Sequence, residues 1–485
     1  MDRIRQLYGT FNKSEVRALK NLLGQTTKKG ENKPMELLQM LEADPNLSAE
    51  EAAIKLYRDP RSKAFLMMKS RLFHRMTEVL GVMADFEVKD SSDAYFKVQL
   101  EYRKAMMMAT VLRSRRLSTL AIPILEDALA LARKAVNPEW ELDALNQIRG
   151  INQGTQEEID ALIVEIGHAL QRTERDVNAS ALYMRLIKGF RATPPQEMPK
   201  LIAYYEQQLD ELDIALQHCH SVRADYFRHK LRYKLHKIQG QIEPCRVSLQ
   251  KAIDILEQQE GLRNNERLAA PYSELGEVEM RLKNYEGGLK AYQIAETYVT
   301  PSSLQHLLVL TPVFYGLVVT GRLDEAEATC QRIEEIFPQI KVMYSIAISN
   351  EIAYLKSALA YARGHLQEAW MILQGEHDFS SDRNGLAAVV RIFEIMLLID
   401  RNLTDIASQK LENLRKHLAR YPPDPRIQAI YKLLAAQEKY DFQFQHFKNE
   451  ESLLKAVAGN FMNSQSGIEA VHFERWYAQR FAAST

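Results

Sequence analysis

Cysteine is scarce in this chain. Three among 485 residues, Cys219, Cys245 and Cys330, are too few and too scattered for a disulfide framework, which suits a reducing compartment. Net charge is lacking too: 63 Lys and Arg balance 63 Asp and Glu, so no overall field draws the molecule to nucleic acid or to an anionic membrane. No uncharged apolar run reaches the roughly 18 residues of a membrane span. The greasiest stretch, LQHLLVLTPVFYGLVV over 304–319, is broken by polar residues and a proline. The N-terminal MDRIRQLYGTFNKSEV has a charged start but no apolar core of the kind a secretory signal carries. A soluble cytoplasmic protein with no membrane partner is therefore expected.

Catalytic signatures are missing as well. The chain has no GxxxxGK[ST], GxGxxG or GxSxG, and no Cys–His arrangement with a family signature, so neither an enzyme nor a cofactor is expected. The run His218-Cys219-His220, near His229, His236 and Cys245, is not read as a metal centre. Residues two apart on a helix point to roughly opposite sides, and no CxxC or HExxH spacing supports a tetrahedral site.

What the sequence does contain is helix periodicity almost from end to end. Apolar residues recur every three or four positions, as in Leu162, Ile166, Leu170 and then Leu182, Leu186, Ile187, while strand-like alternation is nearly absent. Breaks fall at Asp44-Pro45, Asp59-Pro60, Asn137-Pro138, Thr193-Pro194-Pro195, Thr300-Pro301 and Pro422-Pro423, where proline ends a helix. Ser48 followed by Glu50 and Glu51 predicts a capped helix start. The pattern predicts roughly twenty helices of 10 to 25 residues in an all-α chain.

Four segments share one grammar: GQIEPCRVSLQKA from Gly240, KNYEGGLKAYQIA from Lys283, GRLDEAEATCQRI from Gly321 and GHLQEAWMILQGE from Gly364. Two residues after each turn stands an apolar residue (Ile242, Tyr285, Leu323, Leu366). Three further on is a small one (Cys245, Gly288, Ala326, Ala369), and four beyond that a larger one (Leu249, Tyr292, Cys330, Leu373). A small residue lets two helices approach, and the larger one fills the groove between them. RLSTLAIPILEDALALA, with Ala121, Leu125 and Ala128, fits loosely, with Pro123 near the helix start.

These segments resemble the tetratricopeptide repeat. The match runs from Leu268 to Pro301 through Leu275-Gly276, Gly288, Tyr292 and Ala295, and continues through Leu310, Ala326, Ile333 and Pro338. Turn-to-turn spacings of 43, 38 and 43 residues exceed the family's standard of about 34, and Lys283 replaces a turn glycine. The resemblance implies a right-handed superhelical α-solenoid of antiparallel hairpins. Its parts are expected as an N-terminal helical head over 1–90, irregular hairpins over 91–216, clear repeats over 217–376, and C-terminal hairpins with a cap over 377–485. GQTTKKGENKP reads as a polar insert in the head, and GEHDFSSDRNG as a loop or hinge.

In such a stack the first helix of each pair lines a concave binding surface. Arg223, Lys230, Lys234 and Lys237 share one face of a first helix and would suit a carboxylate-rich peptide, or else face neighbouring acids such as Glu277. Equivalent positions carry Ser273, Glu277 and Arg281, then Thr311 and Tyr315, then Tyr354 and Tyr361, which could grip a peptide or pack against a neighbouring helix. In the head, Lys69, Arg71, His74 and Arg75 flank an apolar seam of Phe65, Leu66, Leu72, Phe73 and Met76. With Arg113, Arg115 and Arg116 they form basic patches, but no helix-turn-helix signature frames them, so nucleic acid is not the expected partner. The tail GIEAVHFERWYAQRFAAST must bury its aromatics, as a cap on the last hairpin or against another molecule. The expected function is a non-enzymatic scaffold that binds a peptide segment or folded partner, possessing an acidic preference if the lysines are free. The alternatives are a ligand-responsive regulator whose basic head contacts DNA or a second protein, and a self-assembling homo-oligomer.

Overall fold

The computed structural model describes residues 2–9, 11, 13–25, 32–44, 47–83, 94–151, 154–340, 345–375, 386–420, 425–459 and 469–484. Most of GQTTKKGENKP and nearly all of GEHDFSSDRNG lie outside the described residues, as do Pro45 and the Pro422-Pro423 pair. The chain divides into two compact units, Met1–Met107 and Met108–Thr485. The boundary expected near residue 90 also falls outside the described residues.

The first unit contains α1 (Asp2–Gly9), α2 (Lys13–Gln25), α3 (Lys33–Ala43), α4 (Ala49–Tyr57), α5 (Lys63–Met83) and the start of α6 (Ala94–Ser114). Helices α1 to α4 pack against α5 around Leu37, Leu38, Phe65, Leu72 and Met76. Ser48 and Glu51 close a reciprocal capping box at the start of α4. Leu66 is not part of the seam; it is exposed, one position off the buried stripe of Phe65, Leu72 and Met76.

The second unit continues with α7 (Ser118–Lys134), α8 (Pro138–Arg149), α9 (Gln156–Ala192), α10 (Met198–His218), α11 (Val222–Ile238), α12 (Ile242–Gln258), α13 (Asn265–Arg281) and α14 (Tyr285–Glu296). It ends with α15 (Leu304–Thr320), α16 (Leu323–Ile336), α17 (Ser345–Ala362), α18 (Leu366–Leu373), α19 (Leu386–Asp400), α20 (Thr404–Arg420), α21 (Pro425–Glu438), α22 (Glu450–Gly459) and α23 (Phe473–Ser484). Helices pack as successive pairs, α11 with α12, α13 with α14, and so on to α21 with α22. The first helices also touch in sequence, α13 to α15 to α17 to α19 to α21. This is the all-α, tetratricopeptide-like array of hairpins that the sequence predicts. Helix α9 departs from the expected lengths: no proline interrupts Gln156–Ala192, and it runs for 37 residues. Within it Leu182 and Leu186 are buried, but Leu170, expected on the same core face, is 55% exposed.

The turn grammar has a single backbone cause. Gly240, Gly321 and Gly364 adopt left-handed φ of 73°, 76° and 82°, and Arg116, Val136, Lys283 and Asn402 take the same conformation at 63°, 48°, 60° and 58°. At each of these turns the left-handed residue's N–H bonds the carbonyl three back, and the next N–H bonds the carbonyl five before it. In the third repeat these are Gly321 to Val318 and Arg322 to Leu317, at 3.1 and 3.0 Å. This pair of bonds is the Schellman cap, which satisfies the last carbonyls of one helix while reversing the chain. Five residues on, Ala121, Cys245, Ala326, Ala369 and Ala407 are buried. Nine on, Leu125, Leu145, Leu249, Tyr292, Cys330, Leu373 and Leu411 are buried. Val136 and Asn402 make this turn with no glycine to mark it in the sequence.

Close approach explains the glycine of the first helix. A Cβ on Gly276 of α13 would lie 2.6 Å from the Tyr292 ring of α14, so only glycine admits that ring. At Gly321, by contrast, a Cβ would meet nothing within 4 Å, and the requirement is purely conformational. Gly321→Ala is expected to lower stability by about 1 kcal/mol, and Arg116→Gly to raise it by a few tenths up to about 1 kcal/mol. Urea-denaturation midpoints of the two variants, moving in opposite directions, check this.

Candidate functional site

The row of first helices bounds a recess of about 380 Å³ lined by Ser273, Glu274, Glu277, Met280 and Arg281 of α13, Tyr292 of α14, Leu308, Pro312 and Tyr315 of α15, and Glu351 of α17. Three consecutive hairpins thus contribute to one hollow. Its walls are mixed: Met280, Tyr292, Pro312 and Tyr315 are apolar contact area, Leu308 is 52% exposed, and Arg281 with the carboxylates supplies charge. Of the residues expected to bind a partner, Ser273, Glu277, Arg281 and Tyr315 are brought together here. Leu308 was missed, although it lies one helical turn before Pro312 and would follow from extending the α13 spacing back along α15.

The basic stripe of α11 pairs with acids of the same chain. Lys230 is buried beside the rings of Tyr183 and Tyr233 and bonds Glu274, and Lys234 donates to the other oxygen of Glu274 at 2.8 Å. Lys237 meets Glu277 at 2.6 Å, Arg281 meets the second Glu277 oxygen at 3.1 Å, and Arg223 faces Asp176 at 3.6 Å. Burial alone would raise the Glu274 carboxyl, but the two ammonium groups outweigh it and hold the group below its ordinary range. The four basic residues therefore neutralise acids of their own chain. Their partners lie some 40 residues away in sequence, beyond the reach of helix spacing.

The remaining positions pack within the chain. Thr311 is buried and donates to the Leu307 carbonyl at 3.0 Å. Tyr354 and Tyr361 set their ring edges against Phe393 of α19, with centroids 5.7 and 5.4 Å apart. The Tyr354 hydroxyl accepts the Ala470 N–H at 2.9 Å, and Tyr361 donates to Asp400. They hold helices and the C-terminal segment together and do not line the recess.

That C-terminal segment crosses several hairpins. The Trp476 indole donates to Asp400 of α19 at 2.9 Å, and Gln437 of α21 donates to Tyr477, which in turn donates to Glu450 of α22, each at 2.8 Å. The ring of His472 meets the Tyr285 hydroxyl of α14 at 2.8 Å. Phe473, Trp476 and Tyr477 are buried, so the tail's aromatics find their cover within the chain. At its base Arg426, 2% exposed, bonds Glu469, both oxygens of Glu474 at 2.8 Å, and the Val457 carbonyl. Glu469, His472 and Glu474 also bring ligand-type atoms within 4.8 Å of one another, but the Arg426 guanidinium already stands as the cation between the two carboxylates. The run 218–220 forms no such group, with His218 and His220 exposed while His229 is buried. No described helix is long and apolar enough to cross a membrane.

No protein-family model matches the sequence, and no curated protein does. Among solved structures, the chain is similar to a crystal structure of a Rap protein complexed with competence and sporulation factor. Identity is 14%, the match covers 81% of this chain and 100% of that one, and the TM-score is 0.39. A similarity of that size carries no argument about ligand or partner.

The Arg426 cluster gives two expectations. Arg426→Ala leaves Glu469 and Glu474 buried without their cation and is expected to destabilise the C-terminal hairpins by about 3–5 kcal/mol, read as faster amide exchange over 425–484. Burial alone would raise the Glu474 carboxyl, yet the hydrogen bonds and charge of Arg426 outweigh it and bring the group from its ordinary 4.5 to about 2. A depressed folded value means the stabilisation is complete above pH 4.5 and is lost as the pH falls from 4.5 towards 2. Urea midpoints across that window should fall less steeply for Glu474→Gln than for the unaltered chain.

Proposed function

We propose that the second unit is a non-catalytic binding module that takes an extended peptide segment of a protein partner in the recess between α13, α15 and α17. The observation that carries this reading is the recess itself, built by the first helices of three consecutive hairpins and keeping Leu308 half exposed in an amphipathic hollow. An apolar side chain of the peptide would seat on Met280, Leu308 and Pro312, where contact area supplies affinity. Ser273, Arg281 and Glu351 around it would orient polar groups of the segment. Because Lys230, Lys234 and Lys237 are committed to Glu274 and Glu277, the segment is read as apolar and mixed in charge, with no acidic requirement.

Selection of a displayed random-peptide library on the full chain tests this. Enriched peptides should share an apolar anchor and bind at least tenfold more weakly to Leu308→Asp. That variant changes an exposed side chain, and its melting behaviour should stay within about 0.5 kcal/mol of the parent. A library that yields no enriched sequence, or peptides whose binding ignores both Leu308→Asp and Arg281→Ala, overturns the reading.

A further inference from the structure

Helix α9 leaves an apolar stripe uncovered. Ile163, Leu170, Val177 and Met184 recur every seven residues and are 52%, 55%, 56% and 57% exposed. Three residues after each stands Ile166, Thr173, Ser180 or Ile187, all half-buried. The alternation of steps of three and four is the 3.5-residue repeat of a coiled-coil seam, sustained here over about 37 Å of helix. The two hydroxyls on the seam need no outside partner. Thr173 donates to the Ala169 carbonyl at 2.8 Å and Ser180 to the Val177 carbonyl at 3.0 Å. The seam can thus be covered without stranding a polar group.

We propose that α9 is a self-association element, its stripe pairing antiparallel with the same stripe of a second copy of this chain. The seam reads alike from either end. Centred on Arg175, an antiparallel two-fold sets Ile163 against Ile187, Ile166 against Met184, Leu170 against Ser180 and Thr173 against Val177 of the other copy. The ends are apolar on both sides, and the inner layers pair Leu170 with the smaller Ser180 and Val177 with the near-isosteric Thr173. Along the open flank the same operation brings Asp160 within two positions of Lys188 of the other copy, both exposed, at each end of the seam. Glu174 comes within two positions of its own copy at the centre, where Arg175, 3.8 Å from it, offsets the like charge. A parallel pair would instead set Asp160 on Asp160 and Lys188 on Lys188. The self-matching of apolar layers and end charges commits the surface to another copy of this chain. This inference is independent of the peptide recess, which lies on α13, α15 and α17.

Light scattering of the full chain at concentrations up to about 50 μM is the test. The expected mass is twice the 55.8 kDa of one chain, falling to one chain in Leu170→Glu/Val177→Glu with helical circular dichroism and melting unchanged. In a Cys219→Ser background, which removes the one cysteine that is not buried, Glu174→Cys should oxidise to a linked dimer and Ile163→Cys should not. A single-chain mass at every concentration overturns the proposal, as does a dimer indifferent to the double variant. Linking by Ile163→Cys in place of Glu174→Cys overturns the antiparallel pairing. A single chain that expands in the double variant overturns it too, by assigning the stripe to a segment of the same molecule.

Discussion

The second unit rests on one steric constraint: the two helices of a hairpin must come close enough for a large side chain of one to fill the groove of the other. The left-handed residue at the turn reverses the chain, and its Schellman bonds set where the second helix begins. From that fixed start, the fifth residue on is buried, and alanine, cysteine or glycine stands there in most of the hairpins. Gly276 opposite Tyr292 shows the limit of the same rule, a glycine admitting a whole aromatic ring. Once each hairpin is closed this way, its first helix is left to touch the first helices before and after it, and the recess arises where three of them meet.

Charge in this array is spent internally. Glu274 and Glu277 on α13 gather three lysines from α11 and an arginine from α13 itself, so the network binds two adjacent hairpins together. Arg426 does the same for the C-terminal segment, tying α21 to Glu469 and Glu474. Buried ions of this kind contribute little net stability against an apolar alternative, but they strongly disfavour any arrangement that separates them. They therefore fix register between elements, a task that an aliphatic interface performs less selectively. The tail adds aromatic area to that fixed geometry through Phe473, Trp476 and Tyr477, and reaches back as far as Tyr285 by way of His472.

Much of the architecture was legible because its causes are local. Helix period, the Ser48 capping box and the small-then-large pair after Gly240, Gly321 and Gly364 all follow from contacts within one helix or one hairpin. Val136 and Asn402 make the same turn without glycine, so composition alone does not betray them; only the backbone conformation does. The site was legible in part. Ser273, Glu277, Arg281 and Tyr315 line the recess, whereas Thr311 and Tyr354 are buried and Tyr361 is half-buried against Phe393, contacts that helix spacing alone does not record.

The sequence by itself determined that this chain is helical, that its helices fold back in pairs, and where most turns fall, since each of these is settled by bonds between near neighbours along the backbone. Only the tertiary structure decided that Lys230 answers Glu274, that Leu170 faces outward while Leu186 faces in, and that the aromatic tail lies against helices far upstream. Those outcomes depend on which surfaces of separate helices meet. Residues dozens to more than a hundred positions apart settle them, and no local periodicity records such a pairing.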